Sequence, residues 1–358
     1  MKKNRVVIGM SGGVDSSVAA YLLKEEGYDV IGITMKLWED DDPEIIEREG
    51  GCCSLSSIYD AREVCEKIGI PHYVVNFKKV FRDKVVENFI NEYARGRTPN
   101  PCILCNKAIK FEELLKKAFE LDAYYIATGH YAIIEEKDDE FFMKKSYASG
   151  KDQTYALYNM TQEQLRHSLF PLGKFNSKEE VREIARKIGL ITSDKQDSQD
   201  ICFVPDNDYP KFINKNSEYR IKYGNFVDKN GNILGRHNGI INYTIGQRKG
   251  LGLALGYPAY VIDIDAEKDE VVIGENEDIF KDELYARDIN FINIKKLDKP
   301  IKLNAKIRYS AKEESCTVYP DKEDRIRIIF DNKVRAITPG QSIVFYDGEY
   351  LAGGAIIE

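Results

Sequence analysis

The chain has 358 residues, 43% of them hydrophobic and 31% charged, with a net charge of −7 at pH 7. This length predicts two or three domains. No apolar run approaches the ~18 residues of a membrane span, and Met1-Lys2-Lys3 leads into a predicted strand rather than a signal peptide, so we expect a cytoplasmic protein with no membrane partner. Seven cysteines, an odd number, argue against a secreted disulfide scaffold and favour reactive or metal-binding thiols.

Strand-like and helix-like segments alternate over residues 5–132. In chain order they are strand 6–10, helix 18–26, strand 29–38, helix 56–68, strand 72–77, helix 81–93, helix 107–121 and strand 124–128. The alternation predicts an α/β doubly wound parallel sheet, with ligands at the carboxyl ends of its strands. Three further features are an acidic surface insertion at 39–49, a polar hairpin tip at 135–140, and a capping box of Ser177 and Glu180 before a helix through Ile188.

The character of the sequence changes after Pro205, where short β-branched runs predict strands at 239–243, 259–263 and 270–273. From 289 to 357 strand-like segments recur, with turn signals at Asp331-Asn332, Pro339-Gly340 and Asp347-Gly348. We therefore expect a catalytic α/β domain at 1–205, a small central domain at 206–280 and a C-terminal β-barrel at 281–358, with a sandwich as the alternative.

Between Lys295 and Lys312 the predicted barrel carries seven basic residues and one acid, Asp298. Because the local field matters more to a polyanion than the total charge, this stretch favours RNA binding despite the negative net charge. A solvated strand edge protected by lysines explains the same stretch equally well.

A glycine-rich segment joins the first predicted strand to the first predicted helix. It reads Gly9-Met10-Ser11-Gly12-Gly13-Val14-Asp15-Ser16-Ser17. Paired glycines allow close approach of the backbone to a ligand, and the helix start presents N–H groups to an anion, so the segment predicts a phosphate site with Asp15 acting through Mg²⁺. It matches neither the Walker loop nor the dinucleotide fingerprint. The alternative is a Gly-Gly turn with a Ser/Asp helix cap.

Two cysteines form a C-x-x-C motif, Cys102 and Cys105, in a proline-bracketed segment predicted to be a loop just before a helix. A helix N-terminus lowers the pKa of a thiol, so Cys105, as the nearer of the two, is a candidate thiolate. A third cysteine, Cys202, follows in a strand-like stretch at 198–203. For Cys52, Cys53, Cys65 and Cys316 we favour incidental or buried apolar thiols, most clearly for Cys65, which has helical spacing.

Taken with the strings at 127–131, 151–155 and 245–250, these motifs resemble the tRNA-specific 2-thiouridylases, over essentially the whole chain. The glycine-rich segment resembles the pyrophosphate loop of the adenine nucleotide alpha hydrolase-like fold. The resemblance implies that ATP adenylates the C2 oxygen of the wobble uridine of tRNA. Sulfur then replaces this oxygen, with release of AMP and pyrophosphate.

The resemblance also implies roles for particular residues. ATP would contact Gly9, Met10, Ser11, Gly12, Gly13, Val14, Asp15, Ser16, Met35 and Gly129. Cys202 would carry a persulfide supplied by a cysteine desulfurase or a sulfur-relay protein, and Cys105 would free the sulfur or form a disulfide with Cys202 at one stage. The anticodon arm of tRNA would contact Asn100, Pro101, Cys102, His130, Lys151, Asp152, Gln153, Arg308, Tyr309 and Gln341, and we expect a monomer. A solvated surface is the alternative for Lys151, and a structural hydrogen bond for His130.

One position departs from the family, because many members have aspartate where this chain has Cys102. A thiol cannot take over the role of a carboxylate at neutral pH without a strongly lowered pKa. Cys102, Cys105 and Cys202 instead offer three thiolates for a [4Fe–4S] cluster. The cluster route and the cluster-free persulfide route both stay open, and a structural zinc site using Cys52-Cys53 is a lesser alternative.

Two other functions compete with thiolation. A different pyrophosphate-loop enzyme, such as an amidotransferase partner or a lysidine synthetase, would adenylate a small carboxylate or an amide without needing these cysteines. A non-catalytic RNA-binding or sulfur-carrier protein would bind tRNA but release no AMP.

Overall fold

The computed structural model describes residues 1–38, 55–196, 201–204, 206–322 and 324–358. Its strands are β1 (Lys2–Gly9), β2 (Asp29–Lys36), β3 (His72–Asn76), β4 (Ala123–Ala127), β5 (Ala132–Lys137), β6 (Glu140–Lys145), β7 (Ser168–Leu169), β8 (Gly224–Val227), β9 (Ile233–His237), β10 (Tyr260–Asp265), β11 (Glu270–Gly274), β12 (Phe280–Phe291), β13 (Ile301–Lys306), β14 (Glu314–Pro320), β15 (Arg325–Arg335), β16 (Ser342–Asp347) and β17 (Tyr350–Ile357). Its helices are α1 (Val14–Glu25), α2 (Leu55–Ile68), α3 (Lys78–Phe81), α4 (Glu87–Ala94), α5 (Pro101–Cys105), α6 (Leu114–Glu120), α7 (Gln162–Arg166), α8 (Lys178–Lys187) and α9 (Tyr209–Asn216). Segments Arg82–Val86 and Asn106–Glu113 are π-helical.

The described residues form two compact units. The first draws on residues 1–85, 102–207 and 349–351, and the second on 86–101, 208–348 and 352–358. The predicted insertion at 39–49, Cys52, Cys53, residues 198–200 and Pro205 lie outside the described residues. No helix in the described part of the chain is long and apolar enough to cross a membrane.

The first unit is built on a parallel sheet with strand order β3-β2-β1-β4-β7, which confirms the predicted doubly wound architecture. Val6, Val7 and Ile8 of β1 have no exposed surface, as a central strand covered on both faces requires. The chain runs outward from β1 to β2 and β3 on one side and to β4 on the other. The crevice between the carboxyl ends of β1 and β4 is therefore the switch point at which such sheets bind ligands.

Two further local predictions in the first unit are confirmed in part. Ser177 caps α8 by accepting a hydrogen bond from the Glu180 N–H, but the Glu180 carboxylate accepts from the Asn176 N–H instead of completing the box. The polar hairpin consists of β5 and β6, and its turn narrows to Asp138 and Asp139, which both have positive φ.

The second unit contains a four-stranded sheet, β10-β11-β8-β9, and a barrel. The barrel has strand order β12-β15-β14-β13-β16-β17 and is closed by pairing of β12 with β17, which confirms a barrel rather than a sandwich. Its core is apolar and includes Ile328, Ile343, Phe345 and Cys316, all fully buried.

Two sequence predictions in the second unit are wrong. The predicted strand at 239–243 is a 3₁₀ turn, Ile240–Asn242, because the Asn242 side chain donates hydrogen bonds to the carbonyls of Asn238 and Gly239 and closes the turn. The predicted turn at Asp331-Asn332 lies within β15, in the interruption of its register against β12 between the pairs Lys281–Val334 and Glu283–Ile329.

Candidate active site

The glycine loop leaves β1 at Gly9 and enters α1 at Val14. Gly12 has φ +68°, and a Cβ there would lie 2.2 Å from the Ser57 carbonyl oxygen, so only glycine fits. The N-cap residue of α1 is Gly13, and no side chain caps this helix in the described part of the chain. This excludes the Ser/Asp cap as an explanation of the loop. The N–H groups at the helix start are therefore left to be satisfied by other acceptors, as an anion site requires.

The carbonyl oxygens of the loop are directed at protein donors. Ser16 Oγ and Ser17 Oγ donate to the Gly13 carbonyl over 3.1 and 2.8 Å, and Lys195 Nζ donates to the Gly12 carbonyl over 3.0 Å. In a trans peptide the N–H points opposite to the carbonyl. The N–H groups of Gly13 and Val14 consequently point away from these donors.

Asp15, in the first turn of α1, is held by two side chains from distant parts of the first unit. Its Oδ1 accepts from the Tyr131 hydroxyl at 2.9 Å, and its Oδ2 pairs with Lys178 Nζ at 2.9 Å. The Lys178 side chain is only 11% exposed. These contacts fix the carboxylate in one orientation beside the loop.

Two predicted nucleotide contacts lie directly against the loop. Gly129 follows β4, and a Cβ on it would lie 2.7 Å from Ser16 N and 2.8 Å from the Asp15 carbonyl carbon. Met35 is near the carboxyl end of β2, and a Cβ on Gly9 would lie 3.4 Å from its Cε. The structure thus gathers these residues at the switch point, while their contact with a nucleotide stays a prediction.

The C-x-x-C motif is placed differently from the sequence prediction. Its helix, α5, begins at Pro101, so Cys102 lies in the first turn and Cys105 is the last residue. The prediction that Cys105 is the nearer of the two to the helix N-terminus is therefore wrong. Proline is favoured at the first helical position because its missing N–H needs no partner there. Cys102 is exposed and Cys105 is half-buried.

Cys202 is half-buried and lies in a turn, Ile201–Val204, rather than in the predicted strand. The neighbouring Phe203 is 2% exposed and packs edge-on against Phe81, with ring centroids 5.5 Å apart, and also contacts Trp38. This anchor attaches the turn to the first unit, which also contains Cys105. The predicted Cys105–Cys202 disulfide stays a prediction.

The metal prediction concerns Cys102, Cys105 and Cys202. Among the residues that the structure describes, no three His, Cys, Asp or Glu side chains are placed to hold a metal ion. A cluster held by these three thiols stays a prediction.

His130 follows the switch-point glycine and is buried between Phe111 and Phe170. Its Nδ1 is 2.7 Å from the Thr128 hydroxyl. Burial, with a smaller contribution from the charge of Lys110, lowers its pKa well below 6.5, so the ring is neutral at pH 7. These contacts support the alternative that His130 makes a structural hydrogen bond. Its contact with an extruded base of tRNA stays a prediction.

The Lys151–Gln153 segment is organised by its own side chains. The Asp152 carboxylate accepts from the Ser146 N–H and the Thr154 hydroxyl, and Gln153 exchanges hydrogen bonds with the backbone of Tyr131. This segment thereby positions Tyr131, which in turn donates to the loop carboxylate.

The remaining predicted tRNA contacts belong to the second unit. Gln341 Nε2 donates to the Thr98 carbonyl at 2.7 Å, so this amide fixes the segment that leads to Asn100 and Pro101. Arg308 donates to the Arg335 carbonyl, and Tyr309 is 48% exposed with its ring 5.6 Å from Lys306 Nζ. An exposed aromatic ring beside two cations is suited to an RNA surface.

Sequence reasoning assigned no role to Lys178, Tyr131 or Lys195. The one local signal was at Lys178, a cation in the first turn of α8, where the helix dipole disfavours positive charge. Tyr131 and Lys195 carry no such signal, since their contacts join segments more than 100 residues apart.

Three family models match the chain: "tRNA methyl transferase HUP domain" over residues 4–206, "tRNA methyl transferase PRC-barrel domain" over 211–275 and "Aminomethyltransferase beta-barrel domain" over 281–357. The chain is 60% identical to tRNA-specific 2-thiouridylase MnmA 2 of Caldanaerobacter subterraneus subsp. tengcongensis, over 100% of this chain and 98% of that protein. It is 59% identical to tRNA-specific 2-thiouridylase MnmA 1 of Thermoanaerobacter sp., with the same coverage, and 58% identical to tRNA-specific 2-thiouridylase MnmA of Clostridioides difficile, over 99% of this chain and 98% of that protein. The chain therefore belongs to the family of tRNA-specific 2-thiouridylases.

Proposed function

We propose that this protein is a tRNA sulfurtransferase that uses ATP to replace the C2 oxygen of the wobble uridine by sulfur. Full-length identity of 58–60% to tRNA-specific 2-thiouridylases is the observation that carries the proposal. The glycine loop at the switch point adds physical support, because it is shaped for a phosphate and leads directly into a helix start.

The first step is adenylation. The uridine O2 attacks the α-phosphorus of ATP, a new O–P bond forms, and the bond to the bridging oxygen breaks so that pyrophosphate leaves. The N–H groups at the start of α1 would stabilise charge on the phosphates, while Gly129 and Met35 would bound the nucleotide. The C2 carbon then carries AMP as a good leaving group.

The second step is sulfur transfer. The terminal sulfur of a Cys202 persulfide attacks C2 and AMP departs with the original oxygen, while the Cys105 thiolate attacks the Cys202 sulfur. The transferred sulfur is reduced, the two thiols are oxidised to a disulfide, and an external thiol must reduce this disulfide before the next turnover. A cysteine desulfurase or a relay protein would supply the persulfide. Membership of both cysteines in the first unit is compatible with this step.

We propose that the half-buried Asp15 carboxylate beside the loop holds a Mg²⁺ ion, which when bound would neutralise phosphate charge. No group of three metal-ligating side chains is found among the described residues, so we derive no step through a [4Fe–4S] cluster.

The proposed RNA contacts concern the anticodon arm of tRNA. We propose that Asn100, Pro101 and Cys102 line the pocket of the extruded base, and that the barrel at 281–358 contacts the arm through Arg308 and Tyr309. Exposed Tyr309 offers a stacking face, and the lysine-rich stretch from Lys295 to Lys312 offers phosphate contacts. Together these contacts would offset the cost of extruding the base.

The direct test incubates the purified protein with ATP, Mg²⁺, unmodified tRNA, and a cysteine desulfurase with cysteine. Mass spectrometry of the digested tRNA should find uridine with sulfur in place of oxygen. A methyl group added to the tRNA, or pyrophosphate release with no change in the tRNA, would refute the proposal.

Variants separate the two steps. Cys105→Ser and Cys202→Ser should each abolish thiolation while tRNA-dependent pyrophosphate release continues. Cys65→Ala, a buried thiol outside the site, is the matched control and should thiolate normally. Normal thiolation by both serine variants would exclude the proposed sulfur chemistry.

A further inference from the structure

Residues 248–259 of the second unit form a surface loop whose two ends are held together. The Gly246 N–H donates to the Val261 carbonyl at 2.8 Å, and the Val261 N–H donates to the Gln247 carbonyl at 3.0 Å. The loop itself, which the structure describes throughout, contains no helix or strand. Compact loops with adjoining ends are frequently functional, so the 248–259 loop is a candidate for a binding surface.

The base of the 248–259 loop packs on the barrel. Gly246 has φ +86°, and a Cβ on it would lie 2.6 Å from Ala336 Cβ, so only glycine allows this contact. The guanidinium carbon of Arg335 lies 5.8 Å from the ring centroid of Tyr260, and the Arg335 carbonyl accepts a hydrogen bond from Arg308. The loop therefore adjoins the part of the barrel that carries Arg308, a proposed tRNA contact.

The distribution of charge distinguishes this part of the chain. Residues 229–262 contain no Asp or Glu, although these two types make up 59 of the 358 residues. Arg248, Lys249 and Arg335 are exposed, and none of them has a salt bridge to another residue that the structure describes. An exposed cation with no carboxylate partner leaves its field open to an external anion.

Other exposed cations close to the loop in sequence are paired. Lys229, in the turn between β8 and β9, has its Nζ 2.8 Å from Asp278 Oδ1. Lys268, in the turn between β10 and β11, has its Nζ 2.9 Å from Asp265 Oδ2. Exposure alone therefore does not explain the absence of carboxylates at the 248–259 loop. In a chain with a net charge of −7, this local absence favours a polyanion as the partner.

The loop also offers an aromatic face and open backbone. Tyr257 is 47% exposed. An added Cβ on Gly252 or Gly256 would meet nothing within 4 Å, so the backbone is open to solvent at both positions. Loop residues from Arg248 to Ala259 line an open cleft of about 510 Å³. Stacking on aromatic rings and neutralisation of phosphates by cations are the contacts by which proteins bind unpaired RNA.

We propose that the 248–259 loop is a second RNA-binding surface, in which Arg248 and Lys249 contact tRNA phosphates and Tyr257 stacks on an unpaired base. This inference rests on the proposed function, because it takes tRNA as the substrate. Arg335 links the loop to the barrel contact at Arg308, so the two surfaces bind the same RNA molecule.

The test compares two double variants that remove the same charge. Arg248→Gln with Lys249→Gln removes the unpaired cations, and Lys229→Gln with Lys268→Gln removes two paired cations as the matched control. Fluorescence anisotropy measures the Kd of labelled, unmodified tRNA over a series of KCl concentrations at constant Mg²⁺. The loss of two phosphate contacts should weaken binding about tenfold at ~0.1 M salt and lower the slope of log Kd against log [KCl] by about 1.5. The control should match the wild type.

A substitution of Tyr257 tests the stacking contact separately. Tyr257→Ala should weaken tRNA binding about fivefold or more without changing the salt slope, because stacking is not a charge contact. Tyr257→Phe should retain the affinity. The variants that weaken binding should raise the KM for tRNA in the thiolation assay and leave kcat unchanged. Circular dichroism and thermal unfolding of each variant exclude misfolding as the cause.

Several results would overturn the inference. Equal losses in the two double variants would show an effect of net charge only. An unchanged Kd and slope in Arg248→Gln with Lys249→Gln would show that no phosphate lies at the loop, and an unchanged Kd in Tyr257→Ala would exclude the stacking contact. Normal tRNA binding with lost binding of the cysteine desulfurase would assign the loop to a protein partner instead. Failure of the wild-type protein to bind tRNA would refute the proposed function itself.

Discussion

Replacing Gly129 by alanine tests the geometry of the site with a single methyl group. Gly129 lies outside the left-handed region of φ, so alanine can adopt its backbone conformation and the effect is steric. The new Cβ would lie 2.7 Å from Ser16 N, 2.8 Å from the Asp15 carbonyl carbon and 3.0 Å from Asp15 Cβ. Two of these three atoms belong to the backbone of α1 and cannot rotate away.

The size of the effect follows from this overlap. Ordinary van der Waals contact begins near 3.4 Å, so the end of β4 and the start of α1 must separate by about 0.7 Å. Overpacking of this kind costs about 1–3 kcal/mol of unfolding free energy. Because a misplacement approaching 1 Å can cost a reaction about 100-fold, we expect ATP affinity and pyrophosphate release to fall by roughly tenfold or more.

Equilibrium denaturation and calorimetric titration with ATP measure the two effects. Gly150→Ala is the matched control, because an added Cβ at that exposed glycine meets nothing within 4 Å, and it should change neither quantity. Wild-type stability and ATP affinity in Gly129→Ala would show that the loop and the end of β4 are not in close contact, and the site geometry described above would be wrong.

Three further predictions use other parts of the chain. Burial lowers the pKa of His130 below its unfolded value near 6.5, so the unfolded state binds the extra proton more readily. The unfolding free energy should therefore fall as the pH drops below about 6.5. Denaturation followed from pH 8 to pH 5 should show a smaller fall in His130→Asn. Burial raises the pKa of the Cys65 and Cys316 thiols to about 12, so iodoacetamide at pH 8 should label exposed Cys102 before either of them. Peptide mapping measures the order, and early labelling of Cys65 or Cys316 would contradict their core positions. Gln341→Ala should lower the unfolding free energy by about 1 kcal/mol in a denaturant titration by removing the amide donor to the Thr98 carbonyl, whereas unchanged stability would mean that this hydrogen bond adds nothing.

Elements set by local pattern could be predicted from the sequence. The apolar run of β1, the glycine loop and the start of α1 follow one another within 25 residues, and each has a strong local signal. Ser177 was recognised as a cap for the same reason. The helix start at Pro101 also has a local signal, because proline is favoured at the first helical position, although the sequence analysis predicts a loop for this segment.

Features that depend on a distant partner could not be predicted in this way. Asp331-Asn332 has the composition of a turn, yet β15 pairs with β12 on both sides of it, so it lies within one strand. The ion pair between Asp15 and Lys178 joins residues 163 positions apart, and no periodicity of a single sequence reports such a contact. The hydrogen bond from Gln341 to Thr98 spans 243 positions and was missed for the same reason.

The contacts of the glycine loop show why its rigidity matters to function. Lys195, Ser16 and Ser17 hold the loop carbonyls from the protein side, and Tyr131 with Lys178 holds the Asp15 carboxylate. A loop already fixed by these contacts loses little conformational entropy when a phosphate binds, so more of the binding free energy is available to orient the α-phosphorus. A substitution of Lys195 that loosens the loop should therefore weaken ATP binding even though this side chain donates to the Gly12 carbonyl and not to the nucleotide.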